Sequence, residues 1–111
     1  MPDLDPEDEK IVILARSTRA RTQAAEGAAV RDTDGRTYAA ATVDLPSFKL
    51  SALQAAVAAA VSSGAEGLEA AAVVTAEPLV SSASVQAVRD LAADAPILRA
   101  DPAGAVQEIL R

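Results

Sequence analysis

From Leu68 to Ala76 the chain reads Leu-Glu-Ala-Ala-Ala-Val-Val-Thr-Ala, and its centre, Ala70 to Val74, is apolar without a break. A strand with one face in water alternates apolar and polar residues, so an unbroken apolar strand of this length has to be covered on both faces. A sheet with helices above and below is the architecture this segment demands. The flanking sequence supplies the helices.

Asp5-Pro6-Glu7-Asp8 is a helix start, with an Asx cap, a proline whose missing N–H is harmless in the first turn, and acids at the positive end of the helix dipole. It predicts a first helix from about Pro6 to Thr22, with Ile11, Leu14, Ala15 and Thr18 facing inward. Gly27 to Asp32 and Arg36 to Asp44 flank Thr33-Asp34-Gly35, an Asp-Gly pair of the kind tight hairpins favour, and read as two antiparallel strands. After Pro46 and Ser47, the residues Leu50, Leu53, Val57, Ala60 and Val61 recur at helical spacing and stop before Gly64. Serines 81, 82 and 84 offer a cap for a third helix with Val85, Val88, Leu91 and Ala92 inside. Ile97 to Ala100 reads as a short strand, and Ala103 to Leu110 as a brief helix or extended tail. This order of elements favours an α/β fold, a three-layer α/β/α sandwich with a mixed sheet, as a single domain over residues 1–111.

Composition narrows the function. Half of the residues are apolar but only 2 % are aromatic, so valine, isoleucine and leucine must fill a core otherwise lined by alanine. A net charge of -6 argues against nucleic acid as a partner, because phosphate binding needs a clustered basic face. Arg16, Arg19 and Arg21 are read instead as cations near a helix C-terminus. No apolar run approaches the length of a membrane span, and Met1 to Asp5 carries no basic or apolar leader, so a cytoplasmic protein is expected.

The chain has neither cysteine nor histidine. Serine nucleophiles therefore lack an imidazole base, and the only lysines, Lys10 and Lys49, are not placed by sequence beside a serine. Asp32 and Asp34 belong to a turn and Glu7, Asp8 and Glu9 to a helix start, so neither group reads as a metal site. No cofactor is expected.

Gly27-Ala-Ala-Val30, then Asp34-Gly35 with Tyr38, a strand ending Thr42-Val43-Asp44, and the helix Ser51-Ala-Leu-Gln-Ala-Ala-Val running to Ser62-Ser63-Gly64 follow one another ahead of the Ala-Ala-Val-Val strand. This series resembles the small, oligomeric, zinc-dependent cytidine deaminases from about residue 10 to about residue 100. The resemblance implies a cytidine deaminase-like sandwich. It also places the family's chemistry on particular residues: a zinc ligand at Ser51, the proton-shuttling glutamate at Leu53, the adjacent arginine at Gln54, two further zinc ligands in the turn from Ser81 to Gln86, and ribose and base contacts at Thr42 and Asp44.

None of the ligands the resemblance implies is present. A glutamate buried beside zinc is tolerable, whereas without the metal an uncompensated buried carboxylate costs several kcal/mol, so a leucine at position 53 suits a pocket that has become core. The sequence thus predicts a catalytically inactive member, a deaminase-fold pseudoenzyme that acts through homo-oligomerisation, as dimer or tetramer, or through a protein partner. The alternative is a nucleoside- or nucleotide-binding regulator that kept a modified pocket at Thr42 and Asp44.

Overall fold

The computed structural model describes residues 4–111. The reading of the N-terminus as free of a leader rests partly on Met1, Pro2 and Asp3, which lie outside the described residues.

Helix α1 spans Pro6–Thr22, capped by Asp5, whose carboxylate accepts from the Glu7 N–H at 2.8 Å. Strands β1 (Glu26–Asp32) and β2 (Thr37–Ala41) follow, then a separate short hairpin, β3 (Val43–Leu45) with β4 (Phe48–Leu50). Helix α2 (Ala52–Ser62) precedes β5 (Leu68–Thr75). Helix α3 (Ser82–Leu91), β6 (Ile97–Ala100) and β7 (Val106–Leu110) complete the chain. The main sheet has the order β2-β1-β5-β6-β7, antiparallel except for the β5–β6 pair, and is therefore mixed, as expected.

The unbroken apolar strand lies at the middle of this sheet and is buried on both faces. Ala71 and Val73 join Ala28, Val30 and Ile97 in a core beneath α2 and α3, to which Leu53, Ala56, Val57 and Val88 contribute. Ala70, Ala72 and Val74 face the other way, with Ala29 and Leu98, beneath Ile11, Val12 and Ala15 of α1. Thin side chains let the layers come close. A Cβ on Gly27 would run into the Ala15 carbonyl oxygen and lie 2.7 Å from the Arg19 nitrogen, so α1 rests almost directly on the β1 backbone. Arg31 then clasps the layers together, bonding Asp8 of α1 at 3.0 Å and Glu69 of β5 at 2.9 Å.

Three expectations need correction. The segment from Arg36 to Asp44 is not one strand: β1 begins at Glu26, whose carbonyl accepts from the Thr42 N–H at 3.2 Å, so beyond Thr42 there is no partner left, and residues 43–45 pair with β4 instead. Leu50, expected at the start of the second helix, instead ends β4 of this hairpin, because Pro46-Ser47, which reads as a helix approach, is the hairpin's turn. The C-terminal segment is a strand rather than a helix or tail. Asp101 accepts from the Ala103 and Ala105 N–H groups, both at 3.0 Å, and Gly104 takes φ 91°, a turn that returns the chain antiparallel along β6.

The β1–β2 turn is built around Asp32, which is 1 % exposed. Its carboxylate accepts from the Asp34 and Arg36 N–H groups and the Tyr38 hydroxyl, each at 2.9 Å. Burial pushes this carboxyl up, but the bonds from Arg36, Tyr38 and Asp34, together with the Arg36 charge, outweigh it and hold it below its ordinary 3.8. A depressed native value stabilises the fold fully above the unfolded value and ceases to do so as pH falls through the native one. The urea midpoint of the wild type is therefore expected to fall more steeply between about pH 5 and about pH 2.5 than that of Asp32→Asn. Equal slopes would remove Asp32 from the acid sensitivity.

Candidate functional site

Two helix N-termini meet on one side of the sheet. Ser51 caps α2 from an extended conformation, φ -68° and ψ 162°, in a reciprocal capping box: its Oγ accepts from the Gln54 N–H at 3.2 Å while the Gln54 Oε1 accepts from the Ser51 N–H at 2.9 Å. Ser81 caps α3 from a similarly extended conformation, its Oγ accepting from the Ser84 N–H at 3.3 Å. Neither helix carries an acid in its first turn.

The hydroxyls of these caps touch. Ser81 donates to Ser84 Oγ at 2.8 Å, and Ser84, only 3 % exposed, donates to Ser51 Oγ at 2.7 Å. Three serines from two helices thus form one continuous hydroxyl chain. The sequence marks Ser81, Ser82 and Ser84 as caps, which does not reveal that the hydroxyls of two helices meet. The spacing that signals it is Ser-x-x-Ser, which puts one hydroxyl at the cap and the next at the third helical position, turned back toward it.

Beside Ser51 lies an open cleft of ≈ 620 Å³ whose walls include Arg19, Glu26, Thr42, Asp44, Lys49, Gln54 and Glu77. The volume is within the range of small-molecule sites. Both residues expected to contact a ligand line it, though each has a partner within the chain. Thr42 Oγ1 accepts from the Glu26 N–H at 3.0 Å and pins the end of β2 to the start of β1. Asp44 sits in β3. It faces Lys49 across the β3–β4 hairpin, with 3.5 Å between Oδ1 and Nζ, and both side chains are largely exposed, so the pair contributes about 0–1 kcal/mol.

Leu53 is fully buried in the α2–α3 core. The expectation that the pocket has been converted to core therefore holds for Leu53 itself but not for the space in front of Ser51, which stays open.

A family model of cytidine deaminase-like proteins matches residues 4–104. The chain belongs to the cytidine deaminase-like family. Among curated proteins none matches it. Solved structures share its fold: cytidine deaminase from Burkholderia pseudomallei at TM-score 0.79 and 19 % identity, over 91 % of this chain and 89 % of that one; cytidine deaminase from Mycobacterium leprae at 0.72 and 20 %, over 93 % of each; and a point mutant of the Mycobacterium tuberculosis enzyme at 0.63 and 24 %, over 96 % and 92 %.

The deaminase fold implies zinc, held by ligands that the resemblance places on Ser51 and on two residues of the α3 turn. The side chains that meet there are Ser51, Ser81 and Ser84, and they do not fit the ion. Zinc in proteins is held by thiolate, imidazole or carboxylate. Here the converging groups are neutral hydroxyls bonded to one another. Among the described residues no three His, Cys, Asp or Glu side chains stand close enough to hold a metal.

Among the described residues no helix is long and apolar enough to cross a membrane.

Proposed function

We propose that this chain is a deaminase-fold protein without deaminase chemistry, which acts by binding a nucleoside or nucleotide in the cleft before Ser51. The observation that supports the non-catalytic reading is the serine chain, in which hydroxyls bond one another in the region where the resemblance puts zinc ligands, while the leucine at the position it gives the proton shuttle is packed in the core. The open cleft supports the binding role and moves association, favoured from the sequence, to second place. Asp44, Glu26 and Glu77 offer carboxylate acceptors to sugar hydroxyls, and Arg19 and Lys49 offer charge to a phosphate.

Metal analysis of the purified protein should show no stoichiometric zinc, and cytidine should not be deaminated above background. Either signal would overturn the pseudoenzyme reading. In a thermal shift screen, a bound nucleoside or nucleotide at 100 times its Kd adds about 2.7 kcal/mol of stability. Silence across the set would remove the binding role.

The second reading is self-association or a protein partner. It is favoured by α2, which has no charged residue and turns Ala55, Ala58, Ala59 and Val61 away from the core, and by Leu45 and Phe48, 54 % and 55 % exposed on the neighbouring hairpin. Sedimentation tests it: a monomer at all accessible concentrations rules out the homo-oligomer.

A further inference from the structure

Resting on the ligand-binding reading above, we infer that the cleft prefers a heterocycle presenting a keto oxygen, as uridine does, over one presenting an amine at the same position, as cytidine does. A serine hydroxyl has one proton to donate and two lone pairs to accept with. Both lone pairs of Ser51 are engaged, one by the Gln54 N–H at 3.2 Å and one by the Ser84 hydroxyl at 2.7 Å. Ser84 in turn accepts from Ser81, and Ser81 from the Ser84 N–H. Three hydroxyl protons serve two hydroxyl–hydroxyl bonds. In this sense of the chain the remaining one belongs to Ser51, which lines the cleft.

Gln54 adds a donor of fixed sense. Its Oε1 is held by the Ser51 N–H at 2.9 Å, and since a backbone N–H can only donate, the other end of the amide must be the NH2 group. That group has no acceptor among the described residues, and Gln54 also lines the cleft. Even if the hydroxyl chain reversed, the amide could not. This end of the cleft therefore offers donors, and a ligand has to bring the acceptor.

A keto oxygen satisfies them. An amine leaves donor facing donor, and a site built to bond one group discriminates against its mismatch by orders of magnitude when closed and far less when open to water. For this open cleft uridine is expected to bind roughly tenfold tighter than cytidine.

Titration calorimetry with uridine, cytidine and the riboside lacking any substituent at that ring position tests this. The decisive variant is Gln54→Glu. Glutamate preserves the capping box, because its carboxylate still accepts from the Ser51 N–H, and it replaces the donor with an acceptor. The expected result is uridine preference in the wild type and a lost or inverted preference in the variant, with unchanged circular dichroism. Equal affinities in the wild type, or a preference that Gln54→Glu leaves intact, would overturn the donor assignment while leaving the binding reading standing. No binding of any of the three would overturn the binding reading itself, and this inference with it.

Discussion

Replacing Ser51, Ser81 and Ser84 together with cysteine is expected to produce a protein that binds one zinc ion per chain. The three side chains converge from two helix ends, with successive Oγ atoms 2.7 and 2.8 Å apart. Three thiolates around a tetrahedral zinc at about 2.3 Å stand about 3.7 Å from one another, so the helix ends must part by roughly 1 Å, much of it supplied by the longer bonds to sulfur. Electrostatics favours the exchange. Two helix N-termini without first-turn acids lower thiol pKa values and welcome negative charge. Zinc sites of small metal-dependent folds are worth on the order of 10 kcal/mol, and a preformed site should show tight binding as a large rise in Tm reversed by chelation. A folded triple variant that takes up no zinc at micromolar concentration would mean that the serines are ordinary caps whose contact is incidental. The variant is not expected to deaminate cytidine, since Leu53 stays at the position where the resemblance puts the proton-shuttling glutamate.

Gly27→Val should be the most damaging single change on the far side of the sheet. Its first side-chain carbon would lie against the Ala15 carbonyl oxygen, 2.7 Å from the Arg19 nitrogen and 2.8 Å from the Arg19 Cβ. Two of these neighbours are backbone of α1 and cannot rotate away, so the helix must lift from the sheet. A loss of at least about 3 kcal/mol is expected, at or beyond the upper end of ordinary overpacking. Gly35→Ala supplies the contrast. Gly35 has open space around its missing Cβ but a φ of +85°, so alanine there should cost about 1 kcal/mol for conformation alone. Denaturant unfolding of the two variants checks the order, and near-wild-type stability for Gly27→Val would mean that α1 is not held against β1.

The layers were legible because periodicity reports burial. Ala70 to Val74 announced the central strand, Asp34-Gly35 the first hairpin, and Gly64 the end of α2. The β3–β4 hairpin was not legible because each of its strands has only three residues, too few for alternation to register, and its turn shares proline and serine with helix approaches. The terminal strand is not legible because Gln107 and Glu108 separate the apolar pairs Ala105-Val106 and Ile109-Leu110, a spacing that suits a short helix as well as a strand. At the site, Ser51 and Leu53 were found through resemblance. The Ser81–Ser84 contact follows from the Ser-x-x-Ser spacing, but that Ser84 also reaches Ser51, thirty-three residues away in sequence, is a fact of tertiary placement that no local pattern encodes.

The chain has no tryptophan and one tyrosine. That tyrosine, Tyr38, gives its hydroxyl to the buried Asp32 carboxylate in the β1–β2 turn. Intrinsic emission from this protein is consequently a single-site signal. It responds when the first hairpin loosens and the phenol leaves the carboxylate, and it carries no direct record of the two helix ends or of anything seated between them. A fluorescence melt and a far-ultraviolet melt that coincide would establish cooperativity between the edge of the sheet and the helices beside the cleft. If they separate, the optical midpoint belongs to the hairpin, and ligand effects must be followed through the helical signal.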